Sequence, residues 1–302
     1  MLSRDLQRHA DLHRALGFKF RTPYALLRLF VAHAEGLGDE FVRSGRVIDW
    51  AAQAPSTAQC RNRLLTVRRF ALALRAEDAR HEAPPADAFG SPGTRRRKPH
   101  IYAPDEVTRL LAAAARLGPA TRASTYETLF GLLAATGMRI SEALALQVAD
   151  VTADGLLIRT TKFQKSRLLP LHDTVRAALG RHLQRCARAA LPGDSLFTAA
   201  NRGPLPYDTA AGTFRYLARS VGLRSGAGEP GPRIHDLRHT FAVRSLEDCA
   251  PERHAIARHL VALSTYLGHA RVADTYWYLQ ATPVLLREVA EAGETLLQGV
   301  PA

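Results

Sequence analysis

The sequence predicts a mainly α protein of two domains, the second carrying a small β-hairpin. Three observations carry the architecture. Apolar residues recur at helical spacing through most of the chain, and only 155–171 changes to the alternation of a hairpin. The 302 residues exceed what one compact core usually serves. Between the halves, HEAPPADAFGSPGTRRRKPH (81–100) is rich in Pro and Gly and has no periodicity. The expected division is a helical module at 1–82, a basic linker at 83–100 and a second domain at 101–302.

In the first module, 6–20 places Leu12, Leu16 and Phe20 on one stripe, with Gly17 as a helix end. The next helix, 22–38, opens with Thr22 as N-cap and Pro23 at the first helical position. A third covers part of 47–54. A fourth, 56–78, is long and carries Arg61, Arg63, Arg68, Arg69 and Arg75. Its arginines form either a solvated face or a face for a polyanion. The run Arg95, Arg96, Arg97 and Lys98 is in the same way a solvated tether or a backbone-tracking segment.

The second domain opens at Pro104-Asp105-Glu106, whose proline and acids suit a first helical turn running to about Leu117. A helix at 124–137 ends on Gly137, a residue free to take the left-handed C-cap conformation. Arg139 then falls at a junction between two helices, where rigid elements on both sides can aim it into a cleft. Glu142 is either a carboxylate that orients cations or a plain surface acid. The hairpin at 155–171 turns at Lys162 to Ser166. Helices follow at 172–190 and 207–221. The final one, 282–299, has a stripe at Leu285, Val289, Ala292 and Leu296.

Lys and Arg number 41 against 28 Asp and Glu, a net charge of +13 that points to a polyanionic partner. Nucleic acid fits better than a membrane, because no apolar run approaches the roughly 18 residues of a spanning helix. The N-terminus has no signal-peptide pattern, so the expected compartment is the cytoplasm. Cys60, Cys186 and Cys249 are widely spaced, as expected for free thiols in a reducing environment. The histidines show no metal-ligand spacing, so neither metal nor cofactor is expected.

Chemistry concentrates between His235 and Tyr278. His235 and Arg238 are three apart and share a helix face, where the guanidinium can fork onto two phosphate oxygens while the imidazole bonds a third. Alone, such a pair is equally a polar helix start. The same stretch adds His269 just past Gly268, and Tyr278 nine residues later. Cations, imidazoles and a phenol are what phosphodiester chemistry without a metal requires.

The segments HDLRH (235–239), LGH (267–269) and Tyr278 resemble the C-terminal motif of the tyrosine recombinases, the phage-integrase family. ATGMRISEALAL (135–146) is similar to the family's arginine segment, and TKFQKSRLLPL (161–171) to its lysine hairpin, with Phe163 and Gln164 where many relatives have Gly and a small polar residue. The resemblance implies a catalytic set of Arg139, Lys162, His235, Arg238, His269 and Tyr278, with Lys165 beside the lysine as a DNA contact. It implies attack by Tyr278 on a phosphate of double-stranded DNA, a 3′-phosphotyrosyl linkage, and re-ligation without ATP. It further implies that the two domains form a clamp around DNA, and tetramers on two DNA sites, with copies of the chain or partner recombinases, linked through the 282–299 helix; that helix alternatively caps its own domain. Residues 274–286 are similar to recombinases carried by transposons and plasmids, beside a general likeness to the Xer type. A type IB topoisomerase and a DNA-binding architectural protein remain alternatives. Of two neighbouring tyrosines, the nine-residue spacing selects Tyr278 and leaves Tyr276, with Trp277, to seat the segment against the core.

Charge alone generates the first test. Each phosphate neutralised on duplex DNA should add about −0.9 to the slope of log K against log salt. Affinity measured by fluorescence anisotropy should therefore fall steeply between low and physiological salt, and a flat response contradicts a backbone-tracking basic face.

Overall fold

The structure is a computed structural model that describes residues 2–90, 97–159, 166–186, 193–226, 231–249, 253–269 and 271–279. The chain divides into two compact units, Met1–Arg97 and Lys98–Ala302. It is mainly helical, and a single two-stranded sheet occurs among the described residues. No helix there is long and apolar enough to cross a membrane.

In the first unit, α1 (Leu2–Ala15), α2 (Arg21–Gly36) and α3 (Ser44–Ala52) pack around α4 (Thr57–Arg75). The helix α4 buries Cys60, Leu64, Val67, Phe70, Ala71 and Leu74, a stripe of three- and four-residue steps that faces one core. Its start is fixed by Ser56, whose hydroxyl accepts from the Gln59 N–H at 3.3 Å. Thr22 does not cap α2. The helix begins two residues earlier, at Arg21, and its N-cap is Phe20 in the left-handed region at φ 42°. The Phe20 ring stacks on His13, centroids 4.2 Å apart, so aromatic packing has overridden the local cap preference. Residues 83–90, expected in the linker, lie against this unit: Ala83 and Phe89 pack on its core.

In the second unit, α5 (Pro104–Ala115) starts at the predicted proline, and Glu106 accepts from the Ala103 N–H at 2.9 Å. The helix α6 (Ala120–Thr136) buries Leu129, Phe130, Leu132 and Leu133 and is packed by α5, α8 (Asp173–Cys186) and α10 (Asp236–Glu247). Its second half, 129–135, carries no polar side chain, as suits a helix covered on several sides. The short α7 is Ile140–Ala143. Strands β1 (Leu156–Ile158) and β2 (Arg167–Leu169) pair antiparallel with Leu156 opposite Leu169. The turn that joins them, with Lys162 and Lys165, lies outside the described residues, as do Arg95, Arg96 and the 282–299 segment. The helix α9 (Tyr207–Ser220) closes the core, and α11 (Arg253–Leu267) and α12 (Ala273–Leu279) pack on α10.

Five hydrogen bonds fix the start of α10. Buried Asp236 accepts from the Arg233 main-chain N–H at 2.9 Å and from its guanidinium at 2.7 Å. The Tyr102 N–H donates to Thr240 Oγ1 at 2.9 Å, and the Tyr102 hydroxyl to the Arg233 carbonyl at 3.1 Å. Thr240 in turn donates to the Asp236 carbonyl. The N-terminal turn of α10 is thereby held from outside as well as by its own ladder.

Gly137 ends α6 at φ 59°, as its sequence position predicted. A Cβ there would stand 2.4 Å from Phe241 Cδ1, so the turn has no room for a side chain. Gly137→Ala should lose about 2–4 kcal/mol from left-handed strain plus overpacking, read as a lowered thermal midpoint. Gly36→Ala, where a Cβ meets nothing within 4 Å, should stay within about 0.5 kcal/mol of the parent. Equal midpoints for the two variants contradict the close packing at this turn.

Candidate active site

The α6–α7 junction, β2, the first turns of α10 and the end of α11 bring three guanidiniums together around one carboxylate. Glu142, with a side chain only 8% exposed, accepts from Arg139 Nη1 at 2.8 Å and from the Arg139 main-chain N–H at 3.0 Å. It also accepts from Arg167 Nη1 at 3.2 Å and Nη2 at 2.9 Å, a two-pronged bond. Burial by itself would raise its pKa, but the bonds from Arg167 and the Arg139 N–H outweigh that and hold it below the ordinary carboxylate value. The remaining donors meet the carbonyl end of α11: Arg139 Nη2 reaches the Gly268 oxygen at 3.0 Å and Arg167 Nε the Tyr266 oxygen at 3.0 Å. Unpaired helix-terminal carbonyls carry partial negative charge and are natural seats for cations.

Arg238 is 3% exposed and is held the same way. Its Nη1 donates to the Gly137 carbonyl at 2.8 Å, at the end of α6, and its Nη2 to the Leu267 carbonyl at 2.9 Å, at the end of α11. Nη2 also lies 2.9 Å from His269 Nε2, and the guanidinium is close enough to the Tyr278 hydroxyl for the two to interact electrostatically. Burial is the main influence that lowers the Arg238 pKa from its ordinary value; arginine starts so high that the side chain stays cationic. Three cations against one carboxylate leave two positive charges in excess.

Gly268 makes the turn into His269 at φ +66°, and a Cβ on it would come within 2.6 Å of Arg167 Nη1. The His269 ring stacks on Tyr278 at 5.9 Å and 15°, and its Nδ1 lies 2.8 Å from Thr275 Oγ1. Burial first, then the charges of Arg238 and Arg139, lower the His269 pKa to about 4. Tyr278 is 4% exposed and belongs to the apolar cluster of α10 and α11. His235, at the N-cap of α10, keeps an exposed edge; the desolvation its neighbours impose and the Arg238 charge still place its pKa below the ordinary histidine value. His239 lies between it and Tyr278, ring centroids 4.9 Å and 5.4 Å away. Burial and then His235 lower its pKa to about 4, and its buried Nδ1 has no hydrogen-bond partner among the described residues.

Of the six residues expected to be catalytic, Arg139 meets Arg167 at the Glu142 carboxylate, Arg238, His269 and Tyr278 are in mutual contact, and His235 stands one turn away. Lys162 lies outside the described residues. Glu142, which the sequence allows as a plain surface acid, is the buried centre. Tyr276 does not seat the segment: it is 53% exposed while Tyr278 is buried. Arg167, His239 and Thr275 do not stand out in the sequence. Arg167 lies within the hairpin pattern and His239 within HDLRH, but neither carries a local sign of its tertiary partner.

The arginines proposed for DNA are less uniform than their spacing suggested. Arg61 donates to the Phe89 and Gly90 carbonyls, and Arg63 donates to the Trp50 carbonyl while lying over its ring, so both have structural work in the first unit. Arg68 Nη1 is buried with no partner among the described residues. Arg69, Arg97 and Lys98 are exposed. No group of three His, Cys, Asp or Glu among the described residues is placed to hold a metal ion.

Comparison with known proteins agrees with this arrangement. A putative integrase/recombinase, y4rB, of Sinorhizobium fredii is 38% identical over 299 residues, covering 94% of each chain. The tyrosine recombinase XerD of Caulobacter vibrioides is 30% identical and covers 95% of this chain and 88% of its own. Among solved structures, XerH site-specific recombinase bound to its difH substrate superposes with a TM-score of 0.62 at 20% identity, covering 90% of this chain and 78% of the other. A lambda integrase tetramer bound to a Holliday junction gives 0.58 at 18%, covering 89% and 77%. The model of the Phage integrase family matches residues 101–283, more than half of the sequence and all of the residues that form this site. The chain with this arginine-rich site belongs to the phage integrase family.

Proposed function

We propose that this protein cuts and rejoins double-stranded DNA at specific sites, with Tyr278 as the nucleophile. The observation that carries the reading is the meeting of a buried phenol with Arg238 and His269, beside two further guanidiniums, in a chain of this family. Attack of the Tyr278 oxygen on a scissile phosphate forms the 3′-phosphotyrosyl bond as the bond to the 5′ oxygen breaks. Negative charge grows on the equatorial oxygens in the transition state, where Arg139 and Arg238 are placed to neutralise it; prepositioned donors of this kind commonly supply more of the rate acceleration than any other single effect. The excess of two positive charges suits a phosphorane better than the singly charged ground state, and binding that improves toward the transition state is what accelerates a reaction.

His235 and His269 hold the phosphate and handle the phenol proton, and Lys162 protonates the leaving 5′ oxygen as general acid. The covalent linkage conserves the phosphodiester bond energy, so a 5′-hydroxyl from a partner duplex reverses the attack and completes exchange without ATP. The 282–299 segment joins copies of the chain, or a partner recombinase, into a tetramer on two DNA sites. The tetrameric and DNA-bound assemblies named for the similar solved proteins support this reading.

The test begins with a randomised pool of nicked duplexes, from which SDS-stable adducts are captured and sequenced. On the selected duplex, Tyr276→Phe should form the adduct at close to the parent rate. Tyr278→Phe, which keeps the ring and removes only the hydroxyl, should form none. Peptide mass mapping should place the nucleotide on Tyr278. An adduct that survives in Tyr278→Phe and is lost in Tyr276→Phe reverses the assignment, and loss in neither ends it.

A further inference from the structure

His269 faces two hydrogen-bonding neighbours, and they fix where its proton sits. On one side, Nε2 is 2.9 Å from Arg238 Nη2. A guanidinium has donors and no acceptor, so Nε2 must accept there and cannot itself carry hydrogen. The imidazole is then neutral with its proton on Nδ1. On the other side, Nδ1 is 2.8 Å from Thr275 Oγ1, and a protonated Nδ1 donates to that hydroxyl oxygen. Thr275 is fully buried, at 0% exposure, so water cannot take over as acceptor. Its position is also tied to the reaction: Thr275 and Tyr278 are three apart on α12 and lie on one face of that helix.

We infer that Thr275 is a positioning residue of the strand-cleavage reaction: by accepting the His269 Nδ1–H, it holds the imidazole as the tautomer whose Nε2 is the proton-accepting atom beside Arg238 and Tyr278. The inference rests on the function proposed above. The charged and titratable groups around the ring are Arg238, Arg139, Arg167, Asp274 and Tyr278, a surrounding rich in cations that disfavours a second proton on the ring and keeps it neutral. Without Thr275, the Nδ1–H would be buried with no acceptor, and that cost offsets the preference for a bare Nε2 that Arg238 imposes. The hydrogen could then move to Nε2, where it opposes the Arg238 donor and removes the acceptor from the cleft. The hydroxyl therefore acts on chemistry through His269, and it does so from the helix that bears the nucleophile.

The test uses the full chain in three forms: parent, Thr275→Val and Thr275→Ser. Valine keeps the shape and removes the acceptor, while serine restores it. Long-range proton–nitrogen spectra of [15N]histidine protein, with His269 assigned by its loss in His269→Gln, read the tautomer without any DNA. The expected result is Nδ1–H in the parent and in Thr275→Ser, and a mixture or Nε2–H in Thr275→Val. On the duplex selected by the parent, adduct formation by Thr275→Val should be about 10- to 100-fold slower, the scale of leaving one buried donor unpaired, with DNA affinity unchanged and the rate restored by serine. An Nε2–H tautomer in the parent overturns the inference even if the valine variant does not fold. A valine variant with parental tautomer and rate overturns it as well. If the parent itself forms no adduct with any duplex, the proposed function fails instead, and the spectra still decide the tautomer.

Discussion

The site depends on one physical constraint: three guanidiniums must lie close together in a protein interior without driving each other apart. The solution is a single buried carboxylate, Glu142, bonded to Arg139 and Arg167, together with the carbonyl ends of two helices that end on left-handed glycines. Buried charges are costly unless paired and fully hydrogen-bonded. Here the α6 and α11 termini supply acceptors that would otherwise need partners of their own, so the two requirements satisfy each other. Glycine at 137 and 268 is what lets the carbonyls approach, since a Cβ at either place would meet Phe241 or Arg167 at well under contact distance.

This arrangement explains why the functional residues come from distant parts of the sequence yet behave as one unit. Arg139 follows the end of α6, Arg167 starts β2, and Arg238 lies on α10; each reaches the last turn of α11 through Gly268, Tyr266 or Leu267. The same turn delivers His269, and α12 then returns Tyr278 to the cluster. Movement of α11 would therefore displace all three cations relative to the nucleophile. The N-terminal turn of α10 is separately anchored by Asp236, Thr240 and Tyr102, so Arg238 has a fixed base against which the rest is aligned.

Much of this was legible in the sequence, for identifiable reasons. A phosphate clamp uses residues three apart on one helix, and a glycine at a helix end announces the turn, so His235, Arg238, Gly137 and the His269–Tyr278 spacing stood out locally. The hairpin showed in the change of period. What did not show were meetings made only by the fold. The Arg167 bond to Glu142 spans 25 positions, and the Arg139 bond to Gly268 spans 129. Arg61 and Arg63 looked like members of a basic face, but their carbonyl partners at Phe89, Gly90 and Trp50 are unreadable from helical spacing. The Thr22 cap failed because the Phe20–His13 stack is a tertiary contact that outweighs a cap preference of about 1 kcal/mol. Tyr276 was expected to pack and is exposed, because α12 is a short helix with one buried face, and Thr275 and Tyr278 occupy it.

The most direct measurement is single-turnover adduct formation and DNA affinity, side by side, for Glu142→Gln. The amide keeps the size of the side chain but removes the charge that holds Arg139 and Arg167 together, and it turns a donor toward guanidiniums that have only donors. If the carboxylate is what permits the three cations to converge, the cleavage rate should fall by about 100-fold, the effect of misplacing a transition-state donor, while DNA affinity stays equal or rises with the added positive charge. A parental cleavage rate in this variant, or a loss of affinity that matches the loss of rate, would contradict the account.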